Sequence, residues 1–156
     1  MFRDANIHYQ IAERTRAIGF GGIGAMHKLV CKLGLDRAIN KNVRLLRRHV
    51  PYWESDHVLN LAYNVLTGGT CLEDIERLRN DETYMNGLDA ERVPDPTTAG
   101  DFLRRFDQDS ILALQETFNE ARTKVWALQE ASFRKEAIID IDGTIAGTTG
   151  ECKEGM

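Results

Sequence analysis

Apolar residues return every three or four positions over most of this chain, the spacing of amphipathic helices, and only near residue 138 does the pattern become that of a strand. Ile23, Met26, Leu29, Val30 and Leu33 mark one side of a first helix over Ile23–Leu33, with Gly34 as its stop. A second helix is predicted over Leu35–Arg48, with Pro51 beyond its end. Ser55 is the expected N-cap of a third, whose apolar face is Val58, Leu59, Ala62, Val65 and Leu66 and whose stop is Gly68-Gly69. Thr70 and Glu73 have the spacing of a capping box, and Leu72, Ile75 and Leu78 then form one stripe as far as about Asn80.

Acidic, turn-rich sequence follows, ending in VPDPTT. Pro94 and Pro96 predict an extended linker there, and Thr97 or Thr98 the cap of a short helix bearing Phe102, Leu103 and Phe106. The longest helix is expected from about Ser110 to Ala131, capped by Asp109. Its residues Ile111, Leu114, Phe118, Ala121, Val125 and Leu128 make a heptad stripe flanked by Trp126. The stripe lasts barely three heptads, which favours packing on the preceding helices over a coiled-coil dimer. Ile138, Ile139 and Ile141 then read as a buried strand that Gly143 ends in a turn. The expected fold class is mainly α, about six helices followed by one strand.

That strand carries the chain's most pointed candidate chemistry. Asp140 and Asp142 stand two apart, so on a strand both face the same side. Two carboxylates on one face of a buried strand repel and are costly to desolvate without a positive partner. A divalent metal is the simplest partner, and a nucleophile paired with a general acid is the next. The bland alternative is a strand end whose acids are solvated or cap the following turn.

Composition narrows the class without naming a function. The 156 residues, 42% hydrophobic and 28% charged, are enough for one domain with a real core or one helical domain and the start of another. No stretch approaches the roughly 20 apolar residues of a membrane span, and Met1–Gln10 lacks the apolar core of a signal peptide, so a cytoplasmic protein with no membrane partner is expected. Cys31, Cys71 and Cys152 are scattered and odd in number, which supports neither a disulfide framework nor a zinc site. The glycines of IGFGGIG fit no phosphate-loop spacing and follow no strand.

Charge is segregated beneath the net value of -4. Seven bases, Lys28, Lys32, Arg37, Lys41, Arg44, Arg47 and Arg48, lie between His27 and Val50 against the single acid Asp36. Seven acids then lie between Glu73 and Arg92 against three arginines. Contacts to a nucleic-acid backbone are made largely by Lys and Arg, so Lys28, Lys32, Lys41, Arg44, Arg47 and Arg48 are the candidate DNA contacts. A solvated basic face is the commoner reading of such a run.

Taken alone, Asp140-Ile-Asp142-Gly-Thr144 resembles the opening motif of the haloacid dehalogenase-like phosphohydrolases, which implies Asp140 as nucleophile, Asp142 as general acid and magnesium on the phosphate. That motif ordinarily opens its domain, whereas here it stands near residue 156. The wider context is similar to something else. HVLNLAYNVLTGGTCLEDIERLRND, PDPTTAGDFLRRF and IIDIDGTIAGTTGECKEGM, in that order, resemble the amino-terminal part of bacterial insertion-sequence transposases with a DDE catalytic domain, over most of the chain from about Ile18 onward.

The transposase resemblance implies a helical DNA-binding and assembly region over residues 1–133, then the start of a ribonuclease H-like α/β domain over 134–156. In the intact family three acids, Asp, Asp and Glu, hold two Mg2+ or Mn2+ ions for in-line attack on a phosphodiester. The first of those acids corresponds to Asp142, with Asp140 in a supporting position at the metals. The second Asp and the Glu belong farther along than this sequence runs. The expectation is therefore a truncated or partial transposase, without stably bound metal and inactive as an isolated chain. Its expected partners are the DNA of insertion-sequence ends and either a second copy of itself or the full-length transposase. The alternative is a non-catalytic helical module that binds DNA or regulates the intact enzyme.

Overall fold

A computed structural model of the chain describes residues 19–49 and 51–143. Among them are seven α-helices: α1 Ile23–Leu33, α2 Leu35–Asn42, α3 Glu54–Leu66, α4 Ile75–Arg79, α5 Glu82–Gly87, α6 Pro96–Leu103 and α7 Gln108–Ala127. Single 3-10 turns occur at Leu72–Asp74 and Ala131–Arg134. None of these helices is long and apolar enough to cross a membrane.

α3 is the element about which the others are arranged, because it contributes to two separate apolar clusters. Leu59 and Tyr63 pack with Ile23 of α1, Leu78 of α4 and Tyr84, Met85 and Leu88 of or beside α5. Val58 packs with Ile39 and Val43 from α2 and its end, and with Phe102 of α6, and Leu114 and Phe118 of α7 close that cluster. The heptad stripe of α7 thus packs on the preceding helices, chiefly α2. Asn42 fastens the same contact by donating to Thr117 Oγ1 at 3.0 Å.

The buried face of α3 is not the purely apolar one expected. Val65 and Leu66 are 69% and 58% exposed, while His57, Asn60, Tyr63 and Asn64 are buried. The two asparagines can be buried because each binds a neighbouring loop. Asn60 Nδ2 donates to the Pro94 carbonyl at 3.1 Å and Asn64 Nδ2 to the Cys71 carbonyl at 2.8 Å. The donated bond offsets part of the desolvation cost of each amide, whose Oδ1 stays buried without a partner, and fixes where the loop passes.

Helix termini differ from expectation for local reasons. Gly34, at φ 68°, ends α1 as predicted, since a left-handed residue there allows the chain to turn directly into α2. α2 stops at Asn42, six residues short of Arg48, because Val43 becomes extended to bury its side chain. α3 opens one turn-fraction early at Trp53, whose N–H is accepted by Asp56 at 2.8 Å, so Ser55 lies inside the helix. Asp74, not Glu73, answers Thr70, taking the N–H groups of Thr70 and Cys71. Asp95 caps α6 with Pro96 in its first turn, and Asp107 caps α7.

The largest correction concerns the strand. Residues 135–143 form neither helix nor strand, and Ile138, Ile139 and Ile141 are 92%, 79% and 89% exposed. No second strand lies among the described residues, and an unpartnered strand leaves its backbone groups unpaired and both faces bare. The described part of the chain is therefore mainly helical, without the ribonuclease H-like strand that the isoleucines predict.

Candidate nucleic-acid interface

The basic residues singled out by sequence fall into two local groups. Lys28 and Lys32 stand one turn apart on an exposed face of α1. Lys41 ends α2, and Arg44, Arg47 and Arg48 follow on the irregular segment after it; all four are exposed. Arg44 Nε reaches back to the Lys41 carbonyl at 3.4 Å, so these two lie side by side.

The irregular segment is held from inside. Glu54 at the start of α3 is completely buried, and its Oε1 accepts the backbone N–H of both Leu45 (3.1 Å) and Leu46 (3.0 Å). Its other oxygen lies 3.2 Å from Nδ1 of His49, whose ring stacks on Trp53 at 4.4 Å between centroids and 8° between planes. Val43 is buried and Leu45 and Leu46 half-buried, which leaves Arg44, Arg47 and Arg48 pointing to solvent between anchored neighbours. Nothing in the local sequence announces Glu54, since an acid just before an apolar helix ordinarily serves as a first-turn charge.

A small cavity of about 140 Å³ adds a residue that the charge run did not include. Leu46 of the anchored segment shares it with His57, Thr98, Asp101, Phe102 and Arg105, so Arg105 stands close to the basic segment although more than fifty positions separate them in sequence. His57 lies flat on Phe102 and has no hydrogen-bond partner at Nδ1. Burial pulls its pKa below the usual histidine value; the carboxylates of Asp56 and Glu54 oppose that shift and the Arg105 guanidinium reinforces it. Arg104 beside it pairs with Asp101 at 2.5 Å.

Asp140 and Asp142 are exposed on the irregular stretch beyond the last 3-10 turn. Among the described residues no three His, Cys, Asp or Glu side chains come together to hold a metal ion. Asp140 and Asp142 by themselves are two of the several oxygen donors that a Mg2+ or Mn2+ ion takes. Thr144 of the DIDGT motif and the TTGECKEGM stretch lie outside the described residues. Compared with family models, curated proteins and solved structures, the chain matches none of them.

Proposed function

We propose that this chain is a DNA-contacting helical region of an insertion-sequence type DDE transposase, and that Lys41, Arg44, Arg47 and Arg48 make its contacts to phosphates. The observation that carries the reading is the double acceptance of the Leu45 and Leu46 N–H groups by buried Glu54, which fixes a short arginine-bearing segment on the surface. The transposase identity itself leans on the three sequence segments resembling that family, and the reading assigns binding to this chain, with strand cleavage left to the acids of the intact enzyme.

The test is duplex affinity as a function of salt, measured by fluorescence anisotropy for the natural chain and for the triple variant Arg44→Gln, Arg47→Gln, Arg48→Gln. Each phosphate contact adds roughly 0.9 to the slope of log affinity against log salt, so the triple variant is expected to lose about two to three units of slope. A slope unaltered by the three substitutions, or no binding at low salt, refutes the proposal.

A further inference from the structure

A flat aromatic site stands beside the arginine segment, made by Trp53 and His49. The two rings lie nearly parallel, with centroids 4.4 Å apart, so one face of the indole is covered. Trp53 nevertheless remains 49% exposed. Among the described residues no further ring stacks on it and no guanidinium lies over it. A single exposed tryptophan needs no explanation on its own, and what sets Trp53 apart is the way it is held.

Asp56 accepts the Trp53 N–H at 2.8 Å, which fixes the backbone at the start of α3. His49, the ring behind the indole, lies 3.2 Å from Oε2 of buried Glu54. The other oxygen of that carboxylate takes the N–H groups of Leu45 and Leu46. One side chain therefore sets both the aromatic pair and the backbone next to Arg44, while Arg47 and Arg48 lead directly into His49. All three arginines are exposed. The result is a rigid aromatic face bordered by cations.

Within a duplex each base has both faces taken by its neighbours, whereas an unpaired base offers a face that stacks on an aromatic side chain whatever its sequence. The phosphates that flank such a base suit arginine. We propose that the open face of Trp53 stacks an unpaired nucleobase while Arg44, Arg47 and Arg48 hold the adjoining phosphates, which adds a contact that base-paired DNA lacks. This inference rests on the DNA reading above and specifies the form of DNA that the segment takes.

The experiment uses a labelled oligothymidylate, alone and annealed to its oligoadenylate complement. Affinity is read by fluorescence anisotropy, and stacking by tryptophan emission in a Trp126→Phe background, where Trp53 is the remaining tryptophan. The single strand is expected to quench Trp53 saturably and the duplex to quench it far less. Trp53→Ala is expected to weaken single-strand binding about five- to a hundred-fold, to leave duplex binding and the salt slope in place, and Trp53→Tyr to recover most of the loss. Duplex binding that depends on the arginines, with Trp53 unquenched by the single strand or its removal without effect, overturns this inference and leaves the DNA reading standing. An equal loss on both forms in Trp53→Ala assigns the residue a structural role and also overturns it. Absence of binding to either form overturns both proposals.

Discussion

The imidazole of His57 lies flat on the ring of Phe102, centroids 4.3 Å apart and planes 8° from parallel. An uncharged ring stacks there at little cost, whereas a charged one would be desolvated, and this is why burial lowers the pKa of His57. In the unfolded chain the group titrates near its ordinary value of 6.5. The unfolded state therefore binds more protons between that value and the lowered one. The associated stability is fully present above pH 6.5 and is lost as the pH falls from there through the lowered folded value. Urea unfolding at pH 7.5 and at pH 5 should show a drop for the natural chain, and His57→Phe should flatten the part of that slope that His57 supplies.

Glu54 gives a sharper comparison, because one oxygen serves both backbone amides. In Glu54→Leu the two N–H groups of Leu45 and Leu46 lose their acceptor inside the protein, at a cost of about 2–4 kcal/mol. In Glu54→Gln the side-chain carbonyl can still accept both, and the loss should stay near or below about 1 kcal/mol. Equal denaturation midpoints for the two variants would refute the anchoring role.

Gly69 and Asn64 interlock so closely that a β-carbon at Gly69 would collide with the Asn64 side-chain amide. In Gly69→Ala the Asn64 amide has to move, which strains or breaks its bond to the Cys71 carbonyl, so a loss of about 1–3 kcal/mol is expected. The double variant Gly69→Ala, Asn64→Ala should cost no more than Asn64→Ala alone, a non-additivity that a double-mutant cycle measures directly.

Asp89 occupies the left-handed region at φ 53°, just past the end of α5, where the Ala90 N–H returns to the Met85 carbonyl. That is the position of a Schellman turn for which glycine is the least strained residue. Asp89→Gly is expected to raise thermal stability by about 0.5–1 kcal/mol, read as a melting-temperature increase. A decrease would mean that the carboxylate makes a compensating contact in the free protein.

Much of the helical order could be read from spacing alone. Ile23 to Leu33 with Gly34 carries its boundaries in the residues themselves, and the three-and-four repeat from Ile111 to Val125 marks α7. Short α5 was invisible, since a six-residue helix has too few positions to show a period, although Asp81, which accepts from Thr83 and Tyr84, is a legible cap. Ile138, Ile139 and Ile141 illustrate the opposite failure, in which local β propensity is real and the partner strands that would realise it are missing from the described residues. The arginines of the candidate interface were legible as a charge run. Their anchor at Glu54 and their neighbour Arg105 were not, because both depend on packing between distant segments.

The buried carboxylate beneath Leu45 and Leu46 also bears on when conformational freedom is surrendered. A flexible arginine tail loses its backbone entropy at the moment it meets a polyanion, about 1–2 kcal/mol for every residue ordered. Here the path of the backbone from Val43 to Leu46 is settled as the chain folds. On the proposed DNA reading, the arginine side chains are what would remain to be immobilised on contact, and the encounter would begin from a segment already in shape.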